Sequence, residues 1–170
     1  MELEESLYSV PAGEYGPDYR SHLLEQYKVY VEMADRVSAR RQSANAFFLS
    51  MNTALLAFVG VVARLAPSES LLPWLVAVCF AGVIVCYCWY RLVRSYKDLN
   101  SGKFKVIHAI EARLPLAPYD AEWVTIGKGE NPKLYLPFTH VEAVIPWVYL
   151  VLYVGLAGFT LVRSLWTGDF

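Results

Sequence analysis

The sequence predicts an all-α integral membrane protein with three transmembrane helices and a helical cytoplasmic region. The first observation is composition: 56% of the 170 residues are hydrophobic and only 18% are charged, whereas ordinary soluble domains carry about 25% charged residues. The second is charge spacing. Segments 42–63, 70–90 and 143–162 contain no Asp, Glu, Lys or Arg, and each is long enough for a helix to cross a hydrocarbon layer of about 30 Å.

The N-terminal part of the chain is predicted to be a flexible tail over residues 1–17, followed by a cytoplasmic amphipathic helix over 18–43. Apolar residues recur in this helix at every third or fourth position; they are Leu23, Tyr27, Tyr30, Ala34 and Val37. No Pro or Gly lies between Asp18 and Val59, so one helix can continue into the first span, 44–64. The apolar stripe needs another helix to cover it, from this chain or from a second copy.

The remaining segments follow from turn residues and prolines. An outer loop (65–70) connects the first span to the second (71–90), and a cytoplasmic region of helices and loops occupies 91–142. Within that region, Asn100-Ser101-Gly102 predicts a helix break, with a new helix from about Lys103. The third span is predicted over 143–163, with Pro146 in its first turn, where proline is tolerated. Residues 164–170 form an outer tail.

The distribution of basic residues predicts the orientation. Of the 15 Lys and Arg residues, all except Arg64 and Arg163 lie in the N-terminal segment or in 91–142. Positive charge is retained on the cytoplasmic side, so the N-terminus is expected in the cytoplasm and the C-terminus outside. The net charge of −1 gives no electrostatic basis for binding nucleic acid.

Two groups of polar residues near the membrane are candidate sites. The first is a stripe at helical spacing that enters the first span, and it consists of Ser38, Gln42, Asn45 and Asn52. Its amides can hydrogen-bond between helices or, alternatively, line a polar pore. The second group is a set of arginines at the predicted boundary, which either bind anionic lipid headgroups or only set the topology; they are Arg40, Arg41, Arg91 and Arg94.

The cytoplasmic region holds the other candidate residues, which we expect to contact a partner protein: Lys103, Lys105, His108, Glu111, Tyr119, Asp120, Glu122 and Trp123. Asp120 and Glu122 provide the weaker alternative of a cation site or an acid–base pair. His108 and Glu111, together with His140 and Glu142, provide that of a metal site. Gly127-Lys128-Gly129 lacks the spacing and the Ser or Thr of a phosphate-binding loop. We therefore expect no enzyme activity, cofactor or metal.

Three stretches of sequence resemble the RipA-type octameric membrane protein family of bacteria. They are RVSARRQSAN at 36–45, LNSGKFKVIHAIEARLP at 99–115 and PYDAEW at 118–123, and the resemblance extends over about residues 20–165. It implies a bacterial inner-membrane protein that assembles as a homo-octamer and is linked to envelope and lipid homeostasis. The family offers no catalytic motif to transfer onto these positions.

The resulting hypothesis is a non-enzymatic, homo-octameric scaffold or regulator of the inner membrane that recruits an envelope-related cytoplasmic protein. The competing class is an oligomeric pore or transporter in which the first span lines a central axis. An enzyme acting at the inner leaflet is a third possibility.

Overall fold

A computed structural model describes residues 2–65, 68–131, 133–135 and 137–167. Within these residues all regular elements are helical: α1 (Glu2–Leu7), α2 (Ala12–Tyr15), α3 (Tyr19–Leu65), α4 (Ser68–Glu111), α5 (Pro118–Thr125) and α6 (Phe138–Thr167), with a short 3-10 turn at Gly127–Gly129. Three of the helices, α3, α4 and α6, are long and apolar enough to cross a membrane. The predicted fold class is confirmed.

Helix α3 is a single element of 47 residues, as the absence of Pro and Gly between Asp18 and Val59 predicts. At 1.5 Å per residue its length is about 70 Å, roughly twice the hydrocarbon thickness of a bilayer. A substantial part of α3 therefore extends beyond the span.

Helix α4 does not break at Asn100-Ser101-Gly102, so the prediction of two helices there was wrong. The helix continues to Glu111. A glycine inside a helix costs only about 1 kcal/mol relative to alanine, and the turns that follow bury Ile107 and Ile110, which more than offsets that cost.

The placement of Pro146 in the first turn of the third span was also wrong. Helix α6 begins at Phe138, eight residues earlier, so Pro146 lies inside the helix. Its ring is fully buried. The missing N–H leaves one carbonyl in the preceding turn without its usual helical partner.

The chain divides into two compact units. Unit 1 comprises Met1–Arg40 and Tyr96–Pro137, and unit 2 comprises Arg41–Ser95 and Phe138–Phe170. Unit 1 buries residues from α3 and α4, including Ala34, Ile107 and Ile110. Unit 2 packs the span segments of α3, α4 and α6 around Cys79, Cys86 and Tyr153.

Candidate functional site

The Glu111 carboxylate at the end of α4 accepts three hydrogen bonds in unit 1. Its Oε1 accepts hydrogen bonds from the Tyr27 hydroxyl at 2.7 Å and the Tyr119 backbone N–H at 3.1 Å, and its Oε2 accepts from the Asp120 N–H at 3.1 Å. The residue is 1% exposed. We call these four residues the Glu111 junction.

The Glu111 junction acts as a helix cap supplied from a distant part of the chain. Ala117, the residue in the N-cap position of α5, has no side chain that can accept a hydrogen bond, so the first N–H groups of α5 would otherwise lack partners. A carboxylate suits this position because the N-terminus of a helix carries partial positive charge. Glu111 therefore positions α5 and is too buried to contact a partner protein.

The junction also changes the proton affinity of Tyr27. Burial is the main cause that raises the pKa of the Tyr27 phenol, and the hydrogen bond to Glu111 and the charge of that carboxylate raise it further. Tyr27 therefore remains a hydrogen-bond donor well above the pH at which an exposed tyrosine ionises.

The N-terminal segment, predicted to be a flexible tail, contacts the same end of α4. The Tyr8 hydroxyl donates to the Ala109 carbonyl at 2.8 Å, and the Arg113 guanidinium lies 3.2 Å from the centroid of the Tyr8 ring. Burial raises the Tyr8 pKa, while the charge of Arg113 opposes that shift. No sequence pattern pointed to Tyr8.

The other predicted interaction residues of unit 1 lie around α4 and α5. His108 Nδ1 is 4.0 Å from Asp120 Oδ1, and Lys103 Nζ lies 4.7 Å from the centroid of the Tyr30 ring. Lys105 and Glu122 are exposed.

Trp123 is half-buried and packs over Gly129, where an added Cβ would lie 3.1 Å from the indole ring. Gly129 has φ +73° and Gly127 has φ +71°, a left-handed backbone that glycine adopts without strain. The glycines of Gly127-Lys128-Gly129 thus serve a tight turn under Trp123.

The four residues of the metal alternative do not form a ligand set in the part of the chain that the structure describes. Among the described residues, no group of three or more His, Cys, Asp or Glu side chains is placed to hold a metal ion.

In unit 2, Asn52 lies at a junction of the three span helices. Its Nδ2 donates to the Phe48 carbonyl at 2.8 Å, its Oδ1 accepts from Cys86 Sγ at 3.4 Å, and its backbone carbonyl accepts from the Tyr153 hydroxyl at 3.2 Å. Asn52 is 0% exposed within the single chain. A side chain with no free surface cannot face an axis between subunits, so this geometry favours helix–helix bonding.

The rest of the polar stripe is divided among several environments. Asn45 Oδ1 accepts from the Trp89 indole N–H at 2.9 Å, which joins α3 to α4. Ser38 Oγ donates back to the Ala34 carbonyl at 3.3 Å, and Gln42 is exposed. The stripe therefore provides two interhelical contacts, at Asn45 and Asn52.

Asn52 and its partners Phe48, Cys86 and Tyr153, which we call the Asn52 junction, are closely packed. Gly82 of α4 lies directly under the Tyr153 ring, because a Cβ built at this glycine would be 2.5 Å from the ring. Tyr153 is itself 0% exposed. The sequence contains both residues but no pattern that pairs them, so neither was among the predicted site residues.

The four boundary arginines also differ. Arg41 and Glu142 form an ion pair in unit 2, with Nε 3.6 Å from Oε2 and side chains that are 18% and 22% exposed. Arg40, Arg91 and Arg94 are exposed. Arg41 thus interacts within the chain, and the other three have free surface for lipid headgroups.

Comparison with known proteins gives the family. A family model described as "Octameric membrane protein family" matches residues 24–162, which include the Glu111 junction, the Asn52 junction and the boundary arginines. The chain belongs to the octameric membrane protein family. The resemblance seen in the sequence is confirmed, and membership makes this a membrane protein. Searches of curated proteins and of solved structures found no match.

Membership in the octameric membrane protein family explains why many apolar side chains are exposed in the single chain. In the single chain many large apolar side chains of unit 2 are exposed, among them Phe47, Phe58, Phe80, Val148 and Phe159. Within a membrane such side chains face lipid or neighbouring helices without the cost of contacting water.

Proposed function

We propose that this protein is a non-enzymatic, homo-octameric scaffold or regulator of the bacterial inner membrane, linked to envelope and lipid homeostasis, which recruits a cytoplasmic protein through unit 1. The description of the family as octameric supports the assembly state. The distribution of basic residues supports a cytoplasmic N-terminus and an outer C-terminus.

The observation that carries the recruiting role is a set of exposed apolar side chains on α5 and its flanking loops. Leu116 is 78% exposed, Leu134 is 64% exposed and Val124 is 52% exposed, and all three lie outside the predicted spans. Contact of apolar surface with water costs about 25 cal/mol per Å². Several such side chains within one short segment are typical of a surface that another protein covers.

The backbone around Leu116 strengthens this interpretation. Pro115 precedes it and Pro118 follows Ala117, and each proline restricts its own backbone and that of the residue before it. The Leu116 side chain is therefore presented by a stiff segment, so little conformational entropy is lost when a partner covers it.

In this proposal the exposed boundary arginines bind a second partner, the lipids of the membrane. Arg40, Arg91 and Arg94 bear positive charge next to the predicted spans, where each charge contributes up to about 1 kcal/mol of attraction to an anionic leaflet.

Genetic complementation tests the proposal. Deletion of the gene in its bacterium should alter the phospholipid or lipopolysaccharide composition of the envelope, and the wild-type protein should restore it. Leu116→Asp should form octamers but fail to restore the composition, because a charge interrupts the apolar surface. The matched control is Val10→Asp, which changes a 41% exposed residue elsewhere in unit 1.

Two results would contradict the proposal. An unchanged envelope in the deletion strain would remove the link to envelope homeostasis, and full restoration by Leu116→Asp would remove the recruiting surface. Ion flux through liposomes containing the purified octamer, lost in a variant of the exposed stripe residue Gln42, Gln42→Leu, with the octamer intact, would replace the scaffold by the pore.

A further inference from the structure

One face of α3 in unit 1 is exposed and carries both apolar and charged residues. Val29, Glu32, Met33 and Arg36 fall within about 100° of helix circumference at 3.6 residues per turn. Val29 is 56% exposed and Met33 is 48% exposed, and they line a shallow groove of about 270 Å³ together with Glu25, Gln26 and Tyr30. Beside the groove, Glu32 and Arg36 form an exposed i,i+4 ion pair. We call this the α3 face.

A face of α4 in unit 1 has a complementary shape, because it carries small residues at the positions where the α3 face carries large ones. Asp98, Ser101, Gly102 and Lys105 are all exposed and again lie within about 100° of the helix circumference. A Cβ added at Gly102 would meet nothing within 4 Å. Among the described residues, neither Asp98 nor Lys105 has an ion-pair partner. We call this the α4 face.

An octamer in one membrane requires two different contact surfaces on each copy. All copies share one orientation in the bilayer, so their symmetry axis is the membrane normal and each contact is heterologous, joining unlike patches on neighbouring copies. Every copy is also at the same depth. A contact between α3 of one copy and α4 of the next therefore has the same axial register as the α3–α4 pair within a chain.

That register is visible in unit 1. Tyr27 contacts Glu111, and Tyr30 contacts Lys103, with the two helices antiparallel. At the mean of the two registers that these contacts define, Met33 is level with Gly102, while Glu32 is level with Lys105 and Arg36 with Asp98 to within about half a helical turn.

We propose that the α3 face of each copy packs against the α4 face of the next copy in the octamer. This inference rests on the octameric assembly in the proposed function. At the shared register the small surface of Ser101 and Gly102 meets Met33 at one end of the apolar groove, and each charge on one helix meets the opposite charge on the other. The glycine inside α4 thus allows a neighbouring helix to approach closely.

Cysteine cross-linking tests the contact. The double variant Met33→Cys/Gly102→Cys, oxidised in native membranes, should give a ladder of bands that ends at eight copies, because cysteines join only when their Cα atoms lie within about 7 Å. Each single variant and the wild type, which has three native cysteines, are oxidised in parallel and should give no ladder. Dimers from Met33→Cys alone would show an α3–α3 contact and overturn the proposal.

Charge reversal provides a second measurement that does not depend on disulfide geometry. Lys105→Glu would face Glu32 of the next copy and should promote dissociation of the octamer about two- to five-fold on dilution at low salt. Adding Glu32→Lys should reverse the effect, and Lys133→Glu, on an exposed loop residue, should have none. Equal dissociation of Lys105→Glu and wild type would overturn the proposed pairing.

Native mass spectrometry of the unmodified protein tests the octameric assembly separately from the proposed interface. An octamer without interchain disulfides in the double variant would overturn this interface and leave the proposed assembly in place. A monomer would remove the assembly and the interface together.

Discussion

Substitution of Glu111 by Gln isolates the role of its carboxylate in holding α5. Three donors point at the carboxylate, two at Oε1 and one at Oε2. An amide has a single acceptor oxygen, so in either orientation its NH₂ group faces one backbone N–H of α5. A hydrogen bond to a charged group contributes about 1.5 to 3 kcal/mol. We therefore expect Glu111→Gln to weaken the docking of α5 by about 2 kcal/mol.

Hydrogen–deuterium exchange measures this effect where it arises. A loss of about 2 kcal/mol corresponds to about 30-fold faster exchange of the α5 amides if they exchange by local opening. Glu111→Ala removes all three acceptor contacts and should accelerate exchange further. The turns of α4 in unit 2 are far along the chain from the change and should exchange at the wild-type rate.

The matched control is Glu122→Gln, which makes the same chemical change on an exposed side chain of α5 itself. It should leave exchange in α5 unchanged. If Glu111→Gln accelerated α5 exchange by less than about threefold, the inference that this carboxylate caps α5 would be refuted.

Three further predictions concern pH, packing and lipid. Because the folded-state pKa of Tyr27 is raised, its contribution to stability is complete below pH about 10 and is lost as the pH rises toward the folded-state pKa. Tyr27→Phe should therefore flatten the alkaline decline of the thermal unfolding temperature. An equally steep decline in the variant would contradict this role of Tyr27. Gly82→Ala places a methyl group 2.5 Å from the Tyr153 ring, so it should destabilise the span helices by about 1 to 3 kcal/mol in denaturant titrations, with partial rescue by Tyr153→Leu. Arg91→Gln/Arg94→Gln should reduce co-purified anionic lipid measured by mass spectrometry, whereas equal lipid in both preparations would argue for a topological role alone.

Several features followed from the sequence because they depend on residues close together in the chain. A helix needs about 20 uncharged residues to span a bilayer, so three charge-free segments were sufficient to predict three spans. The continuity of α3 followed from the absence of Pro and Gly between Asp18 and Val59. The family resemblance came from short motifs around 99–123, which are likewise local.

The errors in the helix boundaries arose where tertiary packing outweighed the local helix preferences of single residues. Gly102 disfavours a helix by about 1 kcal/mol, but the burial of Ile107 and Ile110 in the same helix outweighs it. Pro146 marks a helix start only by propensity, and the turns from Phe138 onward form in front of it. Neither outcome is decided by the residues next to the Gly or Pro.

The sequence by itself determined that this chain is a helical membrane protein with three spans, because hydrophobic length and helix-breaking residues are properties of one segment at a time. Only the tertiary structure decided what the polar residues do. Glu111 meets Tyr27 across 84 positions of the chain, and Asn52 meets Tyr153 across 101. A buried polar group takes whichever partner packing brings within about 3 Å, and that choice is made only when the helices come together.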